Sequence, residues 1–401
     1  MHINSEKQEE RHQGSALEVL RVFIKLGLTS FGGPIAHIGY FHKTFIEQKK
    51  WISEAQFAQL LAVSQFLPGP ASSQLGFAIG LHRAGWLGAF SAFIGFTLPS
   101  AIVLVFFSLY VSQTYSSLSN ALTQGLKLVA CVVVIDAIFN MTKNLCPDLR
   151  RKLLALGSAI FLVTVDQIYG QLIVILAAAI YGALVLKDPS PQARPANIVY
   201  YSSRIGITLL SVFFLLLLLT FISTDQKDLL NAQVFYQAGA LVFGGGHVVL
   251  PLLEESVVHT GIIDEATFIS GYGAAQAIPG PMFSFAAYLG ALMSAENALL
   301  GACLALVSIF LPGFILLGGV LPFWQLLATR KSLVAAITSV NAAVVGILLA
   351  TLYDPIITSG IQSLADIAIV VCGCIILIHF KRSPLWIVAL CIATSLLRAF
   401  I

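Results

Sequence analysis

The chain has 401 residues, of which 58% are hydrophobic and only 10% charged, with a net charge of +3. An ordinary soluble domain carries about 25% charged residues, so this composition excludes a soluble globular protein. The small positive charge, without a basic stripe interleaved with aromatics, gives no nucleic-acid footprint.

In chain order, residues 1–14 are polar and mixed in charge. They lack the basic and apolar stretches of a cleavable signal peptide and are expected to be a cytoplasmic tail. Apolar segments then fall at 16–41, 55–81, 85–112, 121–141, 153–166, 169–186, 205–222, 232–253, 266–293, 298–320, 333–353, 361–380 and 384–401. Many are long enough for the roughly 20 apolar residues that a helix needs to cross a bilayer. The expected class is therefore an all-α polytopic membrane protein, with the bilayer as its partner. The stretch Lys187–Arg204, with Pro189, Pro191 and Pro195 among polar residues, divides the chain. The expected units are an N-terminal repeat over 15–186, a linker with one connecting helix over 187–231, and a C-terminal repeat over 232–401. Five of the six cysteines lie in apolar runs and Cys146 in a loop, which reads as buried free thiols.

The two halves share an internal repeat. Phe31-Gly32-Gly33 recurs as Phe243-Gly244-Gly245, and Trp51–Ser73 aligns with Ile262–Ser284. The aligned identities include Gln65/Gln276, Pro68/Pro279, Gly69/Gly280, Pro70/Pro281 and Ser73/Ser284, and Leu98-Pro99 recurs as Leu311-Pro312. Apolar bias alone would not align Gln-x-x-Pro-Gly-Pro.

Loop charges orient the halves. Lys43, Lys49 and Lys50 follow the first FGG, whereas its counterpart is followed by Glu254, Glu255, Asp264 and Glu265 with no base. By the positive-inside rule the first loop is cytoplasmic and the second is free to be outside. The repeats are therefore expected to be inverted, related by an axis in the membrane plane.

FGGP at Phe31–Pro34, LPGP at Leu67–Pro70, FGGG at Phe243–Gly246 and IPGP at Ile278–Pro281 interrupt the apolar segments. Glycine permits a tight turn, and proline cannot donate to a continuing helix. Arms of 12–15 residues on either side are too short to cross, so re-entrant segments are expected. Irregular backbone at membrane depth is tolerated only where it is buried in protein or lines a watery cavity. Pro70 and Pro281 suit the first position of a new helix, whose amides and dipole form an anion site. Candidate substrate-binding residues are therefore Gly32, Gly33, Gln65, Pro68, Gly69, Pro70 and Ser73, with Gly244, Gly245, Gln276, Pro279, Gly280, Pro281 and Ser284 in the second half.

Lys127 is added as an intramembrane cation that either binds an anion or snorkels to an interface. Asp136 further along that helix reads equally as a proton-coupling carboxylate or as a partner for a cation. Arg21 and Lys25 read equally as anion-attracting or lipid-anchoring, Arg83 as a topology signal, and Asn341 as a helix contact. His37 and His247 gather no further ligands, so no metal site is expected. No nucleophile–base set or nucleotide loop occurs, so neither an enzyme nor a cofactor is expected.

These strings, together with WISEAQF at Trp51–Phe57, QFLPGP at Gln65–Pro70, FGGGHVVLPLLEE at Phe243–Glu255 and QAIPGP at Gln276–Pro281, resemble the chromate ion transporter (CHR) family in its long-chain, two-domain form. The resemblance implies export of chromate across the bacterial inner membrane, giving chromate resistance, with sulfate as a look-alike anion. A homodimer is left open. Carriage of sulfate or another oxyanion, and an anion channel, are the alternatives. Moving a dianion outward from a negative interior gains about 4.6 kcal/mol per 100 mV, which favours export.

Overall fold

A computed structural model describes residues 14–113, 117–165, 170–186, 201–222, 224, 226–294 and 296–399. The N-terminal tail before Gly14 and most of the proline-bearing linker lie outside these residues. The described residues are all helix, turn and loop. In the first half come α1 (Ala16–Thr29), α2 (Gly33–His42, continued by a π turn Lys43–Gln48), α3 (Glu54–Phe66), α4 (Ala71–Gln113), α5 (Ser117–Leu145), α6 (Leu149–Thr164) and α7 (Gly170–Val185). The connecting helix is α8 (Ser203–Leu219). The second half holds α9 (Lys227–Leu241), α10 (Val249–Val257), α11 (Glu265–Ala277), α12 (Phe285–Met293), α13 (Ala298–Val320), α14 (Lys331–Thr351), α15 (Leu364–Cys374) and α16 (Pro384–Ala399).

Local chemistry places the ends. Ser53 opens α3 with a capping box to Gln56, and the repeat-equivalent Asp264 opens α11 by accepting from the Thr267 amide. In α4, Ala84 and Gly85 leave helical geometry, and Gly85 adopts φ 64°. The segments read as 55–81 and 85–112 are thus α3 plus one helix bent at this point. Arg83 beside the bend donates to Glu18 of α1 at 3.1 Å and lies over the Trp51 ring, so this residue carries a structural tie.

Among the described residues, four helices are long and apolar enough to cross a membrane by length and composition: Ala71–Leu109, Asn120–Leu145, Ala298–Ala328 and Lys331–Gly360. They fall at matching places in the two halves. Along α4 the exposed apolar side chains Leu87, Phe90, Ile94, Leu98, Ile102 and Phe106 form one stripe. At 1.5 Å per residue that stripe is about 28 Å long, close to the hydrocarbon thickness of a bilayer. Cys303 and Cys372 lie exposed on such faces, which corrects the expectation of uniformly buried thiols. An apolar helix in lipid has an outer face, so an apolar position need not be buried in protein.

The halves interlock. The long helix α5 packs against α15 and α16 of the other half, and its counterpart α14 packs against α6 and α7. Glycines permit these approaches. A Cβ on Gly182 would stand 2.4 Å from the Ala335 carbonyl, and one on Gly346 only 2.0 Å from that of Ala155. One contact lacks a counterpart: α11 lies along α5, with Gly273 against the Leu126 backbone, whereas α3 packs principally on α4 and has no comparable contact with α14. As a result Phe268–Ala275 of α11 are all buried, while Glu54, Ala55, Ala58 and Gln65 of α3 are exposed.

Gly346→Val should destabilise the fold by about 3 kcal/mol or more through overpacking, whereas Gly157→Val, with open space around it, should be neutral. Thermal midpoints and monodispersity of the purified variants check both.

Candidate anion site

All four predicted interruptions are present. Backbone φ is 101° at Gly32, 75° at Gly33, 119° at Gly69, 77° at Gly244, 131° at Gly245 and 111° at Gly280. These values are poorly accessible to residues with a Cβ, which explains the glycines. Pro70 and Pro281 sit one position earlier than expected, at the N-cap. The Pro70 carbonyl accepts from the Gln74 amide at 2.8 Å, and Pro281 caps a short 3-10 turn, Met282–Ser284, that leads into α12.

The breaks are tied to one another across the halves. The Gly69 amide donates to the Val242 carbonyl at 2.7 Å, and the Gly280 amide donates to the Ser30 carbonyl at 3.0 Å. Val242 and Ser30 are repeat equivalents, each immediately before FGG, so each Pro-Gly-Pro break is bonded to the other half's Phe-Gly-Gly break. The two Phe-Gly-Gly turns also abut. A Cβ on Gly33 would lie 3.9 Å from His247 Nε2, and one on Gly246 would lie 3.1 Å from Pro34 Cγ.

The residues after Leu98-Pro99 and Leu311-Pro312 complete the exchange. Ser100 and Ser284 share a hydroxyl–hydroxyl bond of 2.7 Å. On the equivalent side Gln74 Nε2 donates to the Gly313 carbonyl at 3.0 Å and to that of Pro68 at 2.9 Å.

Around this junction several polar groups are buried without a hydrogen-bond partner among the described residues: Ser30 Oγ, His37 Nε2, Ser73 Oγ, Thr97 Oγ1 and Gln276 Nε2. Buried polar atoms are normally paired, so such a cluster is unusual for a purely structural junction. His37 Nδ1 lies 3.4 Å from Ser72 Oγ, and His247 Nδ1 lies 2.9 Å from the Tyr272 hydroxyl. Hydroxyl, amide and imidazole groups at glycine-lined turns suit exchange with the hydration shell of an oxyanion.

The junction brings together Gly33, Pro68, Gly69, Pro70, Gly280, Pro281 and Ser284, with Ser73 and Pro279 adjoining. Gly32 faces Ala36 and Pro384, and Gly244 faces Val344 and Met141. Gly245 has open space around it. Gln276 sits at the end of α11, whereas its counterpart Gln65 is exposed, following the looser packing of α3. Lys127 is 6% exposed, has no ion pair among the described residues, and feels the charges of Glu265 and Asp264 at the start of α11. Asp136 neighbours Asn140 instead of pairing with Lys127. The reading from sequence did not include Ser30, Ser100, Gln74 or Tyr272. Ser30 and Ser100 had a signal, each adjoining a repeated motif, but their convergence is tertiary.

Outside the spanning helices, α10 carries the acidic counterpart of a basic arm. Glu254 pairs with His259 at 2.7 Å, while at the equivalent positions His42 pairs with Glu47 at 3.4 Å. Acid and base are thus exchanged between the halves. Glu254, Glu255, His259 and Asp354 line a cavity of about 400 Å³. Burial, reinforced by the neighbouring Glu254 charge, pushes the Glu255 carboxyl up to about 7.

The sequence matches the Chromate transporter family profile over residues 17–183 and again over residues 229–396. The chain belongs to the chromate transporter family. It is 28% identical over 371 residues to a probable chromate transport protein of Synechococcus elongatus, covering 91% of this chain and 89% of that protein. To an uncharacterized transporter of Methanocaldococcus jannaschii it is 27% identical, over 86% of this chain and 85% of the relative. The chromate transport protein of Pseudomonas aeruginosa is 25% identical over 83% of this chain and 79% of its own length. No solved structure matches it. In this chromate transporter family member both matched stretches contain one Phe-Gly-Gly and one Pro-Gly-Pro break, so the junction is built equally from the two.

The Glu255 carboxyl is raised from 4.5 to about 7 on folding. Its contribution to stability is therefore full below 4.5 and is lost as pH rises through about 7. Glu255→Gln should raise stability above neutral pH by about 1 kcal/mol, allowing for partial exposure, and should flatten the fall below it. Thermal midpoints across this pH range check it.

Proposed function

We propose that this protein is a secondary carrier that exports chromate from the cytoplasm across the bacterial inner membrane and so confers chromate resistance. The N-terminus would be cytoplasmic and the two repeats inverted in the membrane. The observation that carries this reading is the junction of four glycine-bearing breaks, reciprocally bonded and surrounded by polar groups unpartnered among the described residues, in a member of the chromate transporter family. The relatives from Synechococcus elongatus and Pseudomonas aeruginosa are named for chromate transport, which favours that anion among oxyanions.

In this reading the substrate-binding groups are the break residues Gly32, Gly33, Pro68, Gly69, Pro70, Gly244, Gly245, Pro279, Gly280 and Pro281, with Gln65, Gln276, Ser73, Ser284 and Lys127. Turn amides and hydroxyls replace the hydration shell, and no chemical step is required. The unequal packing of α3 and α11 fits alternating access. Docking α3 on α14 while releasing α11 from α5 would exchange the roles of the halves and expose the junction on the other side. Outward movement of a dianion runs down the membrane potential, by about 4.6 kcal/mol per 100 mV.

Everted membrane vesicles holding the protein should accumulate chromate saturably, with sulfate competing and with the rate falling when the potential is collapsed. Absence of chromate uptake under every condition would overturn the assignment. Gly69→Leu and Gly280→Leu should each reduce uptake to background with insertion and expression retained. Lys127→Gln should raise the KM about tenfold if its charge faces the anion, as expected for loss of a partly desolvated charge contact. Normal uptake by both glycine variants would reject the junction as the site.

A further inference from the structure

The strongest feature outside the central junction is a cleft of about 370 Å³ between α1 and α2, lined by Arg21, Lys25, Tyr40, Lys43 and Lys49. Among the described residues none of these four cations makes an ion pair. Arg21, Lys25 and Thr29 are spaced at successive turns, about 6 Å apart, and lead along α1 towards the break at Ser30.

The second half supplies an internal control. In the Phe-Gly-Gly register, Arg21 and Lys25 correspond to Gln233 and Gln237 of α9. Gln233 Nε2 donates to the carbonyls of Leu219 at 3.1 Å and Ile222 at 2.9 Å, and Gln237 Nε2 donates to that of Thr220 at 3.3 Å. The end of the connecting helix α8 therefore supplies acceptors to these positions in one half. No described element does so in the other. Lys43 and Lys49 likewise correspond to Glu255 and Gly261, so the packing of the repeat does not itself demand a cation at any of the four places. Neutral amides satisfy carbonyl dipoles. Four unpaired cations lining the same face call for an anionic acceptor.

We propose that the α1–α2 cleft is a second anion site, separate from the junction, that binds a tetrahedral oxyanion of the phosphate type through Arg21, Lys25, Lys43 and Lys49. The ligand is either a free oxyanion or the phosphate of an anionic lipid headgroup, and both present the same chemistry to the four cations. Held about two helical turns from the break at Ser30, a free anion would be concentrated at the mouth of the path.

The test is a binding measurement and does not depend on transport. The full-length protein in nanodiscs of phosphatidylcholine alone is titrated with inorganic phosphate or sulfate at constant ionic strength, and its thermal midpoint is followed. A parallel sample uses nanodiscs containing phosphatidylglycerol. Each is repeated with Arg21→Gln/Lys25→Gln, which borrows the residues of the other half, and with Lys43→Gln/Lys49→Gln. A free-anion site gives saturable stabilisation in phosphatidylcholine that weakens about tenfold in both variants. A headgroup site gives stabilisation by phosphatidylglycerol that both variants lose, with the response to the soluble anions the same in wild type and variants. Equal responses of wild type and both variants in both arms would overturn the proposal. Failure of chromate uptake in vesicles would count against the carrier reading and leave this result unchanged.

Discussion

Two backbone hydrogen bonds hold the centre of this molecule together: Gly69 to Val242 and Gly280 to Ser30, each crossing from one half to the other. Helix interruptions leave amides and carbonyls that lipid cannot satisfy, so at membrane depth each break must find its partners within the protein. Here each break supplies what the other half's break lacks. The exchange is reciprocal, as in an isologous interface, and it ties the two halves at one place. The positive φ of Gly69 and Gly280 serves this geometry, because a side chain there would meet Gln74 and Gly313 in one case and Ser100 in the other.

The rest of the fold reinforces that junction from outside. Each half lends its long helix, α5 or α14, to the last two helices of the other half, and glycine contacts make the approach close. Such an exchange leaves neither half with a complete interior of its own. The two halves nevertheless differ. The burial of α11 against α5 and the exposure of α3 show that identical motifs occupy unequal surroundings. A duplicated sequence can therefore adopt two packings of one design, which is the physical requirement for a two-state carrier.

Charge differs between the halves as clearly as packing does. A basic arm follows the first Phe-Gly-Gly turn and an acidic arm follows the second, with the His42–Glu47 and Glu254–His259 pairs reversed in order. This polarity is independent of the junction, whose groups are mostly neutral. In the proposed carrier, neutral donors at the centre and cations at one mouth would together attract an anion without trapping it.

The chain's own sequence determined the helical class, the duplication, the four breaks and the charge asymmetry. These rest on composition, on motif identity and on the fixed conformational preferences of glycine and proline, all of which act locally. Most of the junction's glycines and prolines were legible for the same reason. Only the tertiary structure decided which break bonds to which, that Gln65 is exposed while Gln276 is drawn in, and that Ser30, Ser100 and Gln74 join the site. It also decided that Arg21 and Lys25 stand without the carbonyl partners that Gln233 and Gln237 enjoy. Partners distant in sequence are chosen by how helices pack, and a repeat of identical letters does not reveal that its two copies have different neighbours.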